Sequence, residues 1–154
     1  MMNFLNRSGF VCIVACSLAA GVAAQERGTK EEARAMVNAA VAHVKKVGPQ
    51  KAFDDFTNDK ATWVKKDLYV FAYNYAGTVQ GIGSNPKLVG KNLIDIKDGS
   101  GRYLIKDLGE VAKKGGGWYD YDWADPVTKK IAPKSSYAVQ VPGFDGFLGV
   151  GVYR

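Results

Sequence analysis

This 154-residue chain predicts an α+β fold in which helices cover the faces of a mainly antiparallel sheet. Three observations lead there. A long amphipathic helix stands near the start, and the apolar period shortens to two at Leu68. Five β-rich runs then appear, most joined by turns too short for a parallel crossover. The length suits one domain with one core.

Residues 1–24 are set apart from that domain. Asn and Arg precede an apolar run from Phe10 to Ala20, and small residues follow, ending in Val22-Ala23-Ala24. That layout is a secretory signal peptide cut after Ala24, which predicts a periplasmic protein of residues 25–154. A retained membrane anchor is the competing reading, but the run is short for a span. Ile13-Val14-Ala15-Cys16 also has the form of a lipoprotein cleavage box, although the apolar run continues past Cys16. Both cysteines, Cys12 and Cys16, lie in this segment, so the mature chain has no thiol or disulfide and relies on its hydrophobic core. Removing Arg7 takes the formal charge from +6 to +5. The lysine pairs at 45–46, 65–66, 113–114 and 129–130 alternate with Asp and Glu, which predicts a solvated surface and no nucleic-acid partner.

Thr29-Lys30-Glu31-Glu32 is a capping box, and Ala33, Met36, Val37, Ala40, Val41, Val44 and Val47 form one apolar stripe behind it. Gly48-Pro49 ends this helix. A short helix around Gln50–Phe56 turns Phe53 and Phe56 inward, and the pattern stays loose to Asp67. Leu68–Tyr75 is a strand with Tyr69, Phe71, Tyr73 and Tyr75 on one face and Leu68, Val70, Ala72 and Asn74 on the other. Ala76-Gly77 turns it into a second strand, Thr78–Gly83. Ser84–Gly101 is a loop that tucks in Leu88, Val89, Leu93 and Ile96. A second amphipathic helix carries Tyr103, Leu104, Leu108, Val111 and Ala112. The strand Trp118–Ala124, a turn at Asp125-Pro126, and the strands Lys134–Val141 and Phe147–Tyr153 complete a PAS-like order. In the last strand Leu148, Val150 and Val152 share a face. Gly149 and Gly151 on the other leave room for something to approach the backbone.

Catalysis has little support. The mature chain has no Cys nucleophile and one histidine, His43, without metal-ligand spacing, so His43 reads as structural or exposed. Asp120 and Asp122 share a strand face, but nothing supplies a matched acid and base. Neither an enzyme nor a cofactor is expected.

DLYVFAYNYAGTV, NPKLVGKNL, KKGGGWYDYDWADPVTKKIAPKSSYAVQV and GFLGVGVY, in this order, resemble the single Cache domains of the second type, extracytoplasmic sensor modules of bacterial chemoreceptors and histidine kinases. The resemblance implies a long N-terminal helix packed on a five-stranded antiparallel sheet, with shorter helices and loops closing a pocket on the other face. It also implies a small organic acid ligand such as acetate, propionate or pyruvate, and a role in signal transduction or chemotaxis. A membrane receptor or kinase is the expected protein partner, and the Ala-rich first helix offers a homodimer surface. Where family members often carry Ala-His after the first hairpin, this chain has Gly81-Ile82. Any ligand contact made by that histidine is therefore lost.

A buried carboxylate needs a cation or several donors. Lys134 is the candidate cation, Tyr121 and Tyr137 the candidate hydroxyl donors, and Trp118 and Trp123 the walls, with Phe71 and Tyr73 on the aromatic strand face. Strand parity cuts through this set. On ideal pleats Trp118 and Tyr121 point to opposite faces, as do Lys134 and Tyr137. A bulge near the glycines or Pro133 would reunite them; otherwise one member of each pair belongs to the core. The alternative function is an interaction protein that keeps the fold without a ligand.

Overall fold

Thr29 starts the first helix in the computed structural model, which describes residues 26–154. The signal-peptide reading of residues 1–24, with its anchor and lipidation alternatives, lies outside the described residues. The Thr29 hydroxyl accepts from the Glu32 N–H at 3.1 Å, and the Glu32 carboxylate accepts from the Thr29 N–H at 2.8 Å. Two backbone donors that the helix cannot satisfy internally are thereby paired. The helix, α1 (Lys30–Val47), buries Ala33, Met36, Val37, Ala40 and Val44. Gly48 ends it at φ +85°, a conformation that favours glycine, and Pro49 opens α2 (Pro49–Asn58). No helix among the described residues is long and apolar enough to cross a membrane.

A one-turn helix, α3 (Lys60–Trp63), and a two-residue strand, β1 (Val64–Lys65), come next. Both are too short to show a period in the sequence, where this stretch reads as irregular. The strands β2 (Leu68–Asn74) and β3 (Val79–Ile82) form the first hairpin, and a 3-10 turn over Pro86–Leu88 starts the long connection to α4 (Leu104–Lys113). The chain ends with β4 (Gly117–Ala124), β5 (Ile131–Gln140) and β6 (Gly146–Tyr153). Pairing is antiparallel throughout in the order β3–β2–β6–β5–β4, with β1 added as a hairpin onto the start of β2. The five-stranded sheet expected from the family pattern stands.

Alternation along β2 and β6 divides the protein into two cores. Leu68, Val70, Ala72, Leu148, Val150 and Val152 face α1 and the rings of Phe53, Phe56 and Trp63. Tyr69, Phe71, Tyr73, Phe147 and Tyr153 face α4, which contributes Leu104, Ile105, Leu108 and Ala112. Phe56 and Trp63 meet edge-to-face at 4.7 Å, a favourable ring geometry. His43 is half-buried: its ring lies 5.1 Å from that of Trp63, and it meets the Asp55 carboxylate at 2.8 Å.

Four local expectations change. β5 begins at Ile131, so Pro133 lies inside it. The Pro133 carbonyl accepts the Arg154 amide, and β5–β6 pairing stops at Lys134↔Tyr153, so the missing proline N–H interrupts no bond between these strands. β5 also stops at Gln140, before Val141. Val89 is exposed, and Leu88 and Ile96 are only half-buried; Leu93 alone of the four tucked residues is buried. Tyr103 precedes α4 and is exposed, covered by the ammonium groups of Lys106 at 4.1 Å and Lys97 at 4.7 Å.

Two aspartates are held well below the usual carboxylate range and contribute to the fold's acid sensitivity. The hydrogen bond from Arg27 holds the Asp125 carboxyl at about 2, against burial, which pushes it up. The Ser100 hydroxyl and the Arg102 side chain and backbone N–H hold Asp98 at about 2 as well. Both values lie below that of an unfolded aspartate, so the stability they contribute is complete above about pH 4 and is lost as pH falls towards 2. Urea unfolding should show this loss between pH 4 and 2, and Asp125→Asn should reduce its slope. Equal slopes for the two proteins would remove Asp125 as a source.

Candidate functional site

β4 and β5 pair without a register break from Gly117↔Ala138 to Ala124↔Ile131. No bulge therefore intervenes, and parity decides which predicted site residues meet. Phe71, Tyr73, Tyr121, Trp123 and Lys134 converge on one small cavity between the sheet and α4. Trp118 and Tyr137 do not. They pack against each other on the opposite face, ring centres 5.4 Å apart, under Lys30 and Arg34 of α1. The expectation that these two line the pocket with the others is corrected on that ground.

The cavity encloses about 10 Å³, the space of about one water. Its far wall is apolar: Ile82 from β3, and Leu104, Ile105 and Leu108 from α4. Ile82 stands at the position where the family resemblance expects a histidine. It pairs with Phe71 in the first hairpin and presents only hydrocarbon.

Lys134 is the cavity's charged group and is 1% exposed. Its stem has room because β6 carries glycine at position 151, two residues before Tyr153, the register partner of Lys134: a Cβ on Gly151 would collide with the Lys134 stem and the Ser136 hydroxyl. Gly149 likewise admits the Phe71 ring, which would lie 2.6 Å from an added Cβ. The glycine pattern legible in the sequence therefore has two named occupants.

The Lys134 ammonium donates to the Tyr69 hydroxyl at 2.7 Å. It also lies 4.1 Å from the Tyr69 ring centre, 4.8 Å from Tyr153 and 5.6 Å from Phe71. Among the described residues no carboxylate lies within ion-pair distance of it. The Tyr153 hydroxyl spends its proton on the Ala124 carbonyl at 2.7 Å, so across the 3.2 Å contact between the two phenols Tyr69 is the donor. A directed chain results, from Lys134 through Tyr69 and Tyr153 to the backbone of Ala124. Burial pushes the Tyr69 phenol up, but the adjacent Lys134 charge and the hydrogen bond accepted from Lys134 act the other way, and Tyr69 lies below the ordinary tyrosine value. Tyr121 and Tyr73 are pushed up by burial and stay protonated donors. Tyr121 shares its hydroxyl with Ser136 at 2.9 Å.

Magnitudes indicate what this arrangement favours. Taking an ammonium out of water costs several kcal/mol even after relaxation, and a desolvated cation–π contact returns about 2 kcal/mol. Three rings and one hydroxyl leave two N–H donors free for a charged acceptor. The phenols of Tyr69 and Tyr153 were not among the residues predicted for the site. Their strand faces were legible, but their contact with Lys134 joins residues too far apart in the chain for pattern to reveal.

The sequence profile of the family described as Single Cache domain 2 matches residues 16–154. The chain belongs to that family. Curated relatives of this Cache domain include the sensor histidine kinase MctS of Rhizobium johnstonii, 36% identical over 57% of the chain and 19% of the kinase. The methyl-accepting chemotaxis protein CtpM of Pseudomonas aeruginosa is 32% identical over 56% of the chain and 16% of that protein. The Cache domain thus aligns with less than a fifth of these relatives. Among solved structures, a methyl-accepting chemotaxis protein from Vibrio parahaemolyticus superposes with a TM-score of 0.71 at 32% identity, covering 80% of this chain and 87% of that one. A Cache chemosensory domain studied for carboxylic acid recognition shares the fold, with a TM-score of 0.66 at 22% identity over 80% and 91% of the two chains.

A buried charge without a carboxylate partner is expected to cost stability. Lys134→Met keeps the volume, removes the charge and should stabilise the fold by about 1–3 kcal/mol in chemical unfolding. A destabilised Lys134→Met would show that the cage already satisfies the ammonium. Gly151→Ala should cost about 1–3 kcal/mol, because the Lys134 stem must be displaced. Unchanged stability would show that the stem has another path.

Proposed function

We propose that this Cache domain is an exported, periplasmic sensor module. It binds a small organic monocarboxylate of the acetate, propionate or pyruvate class and reports its occupancy to a membrane receptor or kinase. The observation that carries the reading is Lys134: a buried ammonium with free donors and no acidic partner among the described residues. One carboxylate would neutralise it and accept the unused N–H groups, with Tyr73 and Tyr121 as further donors. Among the described residues, the cavity lining holds one cation and no carboxylate. A dicarboxylate would bury an unpaired charge there, and the ammonium of an amino acid would meet Lys134 with like charge. Short acids without a second charge are therefore favoured, and the hydrocarbon wall of Ile82, Leu104, Ile105 and Leu108 suits a small apolar tail.

Support also comes from the relatives, a sensor kinase and a chemotaxis protein, and from the Cache domain known for carboxylic acid recognition. The module holds its ligand without transforming it. Entry is by Trp123, which lines both the inner cavity and an outer cleft of about 380 Å³ with Leu88 and Pro126. Even acetate needs more room than the cavity encloses, so Trp123 or α4 must yield on binding.

That small volume also favours the second reading, a Cache fold kept as an interaction protein without a ligand. A thermal-shift and calorimetric screen separates the two. Acetate, propionate and pyruvate at millimolar concentration should raise the melting temperature, whereas succinate and glycine should not; a ligand at a hundred times its Kd adds about 2.7 kcal/mol. Lys134→Met should abolish the shift. No response to any short acid would support the interaction reading.

A further inference from the structure

Arg27 joins three places distant in the chain. Its guanidinium donates to Asp67 at 3.1 Å, beside the start of β2, and to Asp125 at 2.7 Å, in the β4–β5 turn. Both carboxylates are almost completely buried. The other oxygen of Asp67 accepts the Gly28 N–H at 2.7 Å, two residues before α1. Two carboxylates against one guanidinium leave this clamp with a formal charge of −1.

Tyr153 touches both the clamp and the cavity. Its ring lies 5.9 Å from the Arg27 guanidinium carbon and 4.8 Å from the Lys134 ammonium. Its hydroxyl holds the carbonyl of Ala124, the residue before Asp125. The chain of hydrogen bonds that begins on Lys134 therefore ends one residue from the clamp.

We propose that the Arg27–Asp67–Asp125 clamp reads the occupancy of the Lys134 cavity, and that an acid bound at Lys134 loosens it at the start of α1. The inference rests on the carboxylate reading of that cavity. Two effects act in the same direction. A bound carboxylate accepts the ammonium's unused N–H groups and cancels its charge, so Tyr69 is polarised less and becomes a weaker donor to Tyr153, and Tyr153 a weaker donor to Ala124. The new anion also repels, across one ring, the two buried carboxylates of a clamp of net negative charge. The coupling is reciprocal: what the acid does to the clamp, an opened clamp does to the acid's affinity.

The test begins with calorimetry of the protein against sodium acetate and sodium propionate, and continues with the acid giving the larger heat. Amide exchange at Gly28 is then followed by NMR at saturating acid, with equal sodium chloride as the control. The wild type should exchange at Gly28 about three-fold faster or more when the cavity is occupied. In Tyr153→Phe, which keeps the ring but breaks the chain of hydroxyls, that acceleration should disappear at saturation. Asp125→Asn, which opens the clamp and removes a negative charge, should bind the acid about three-fold tighter. An acid that binds without changing Gly28 exchange overturns the inference. So does a full acceleration in Tyr153→Phe, or an unchanged or weaker affinity in Asp125→Asn. If neither acid gives heat, the carboxylate reading itself fails first, and that failure is visible before any exchange is measured.

Discussion

One ammonium with no carboxylate beside it among the described residues governs the α4-facing side of this protein. Lys134 is enclosed by the sheet, by rings and by a phenol, and each of those neighbours is arranged to make its burial tolerable. Gly151 gives up a side chain so that the lysine stem can lie on β6. Tyr69 turns its ring and its hydroxyl to the charge and passes the polarisation on to Tyr153. Hydrophobic residues of similar volume would form a more stable core. Under the proposed function, the arrangement is the receiving half of an ion pair whose other half comes from outside the chain.

The opposite side of the sheet shows no such compromise. α1 lays small aliphatic residues on β2, β5 and β6, while Phe53, Phe56 and Trp63 fill the space beneath its C-terminal half. Because side chains alternate along each strand, six consecutive residues of β2, Leu68 to Tyr73, supply hydrocarbon to one core and aromatic rings to the other. Position in the pleat, more than residue type, decides whether a ring braces the fold or faces the cavity. Trp118 and Trp123, on one strand, fall on different sides of that division.

Much of this was legible in the sequence because it is periodic or local. The capping box at Thr29, the stripe of α1, the alternation of β2 and the glycine face of β6 each declare themselves within a few residues. Parity alone also stated that Trp118 and Tyr121, or Lys134 and Tyr137, could not share a face without a bulge. What it could not state was the absence of the bulge, which depends on unbroken pairing of β4 with β5. The remaining features have no local signature. Arg27 reaches Asp67 and Asp125 across the whole domain, Tyr153 reaches Tyr69 from the last strand, and α3 and β1 are shorter than any period.

The two cores differ in a way that bears on how such a protein changes over time. Ile82, Leu104, Ile105 and Leu108 shape the cavity wall, yet none of them belongs to the core beneath α1. Substitutions among them alter the room and polarity available beside Lys134 and leave the packing of α1 on the sheet intact. Under the proposed function, ligand preference can therefore drift along one side of a single sheet while the packing of α1 is kept on the other. In this chain, hydrocarbon at position 82 marks one outcome of that division of labour.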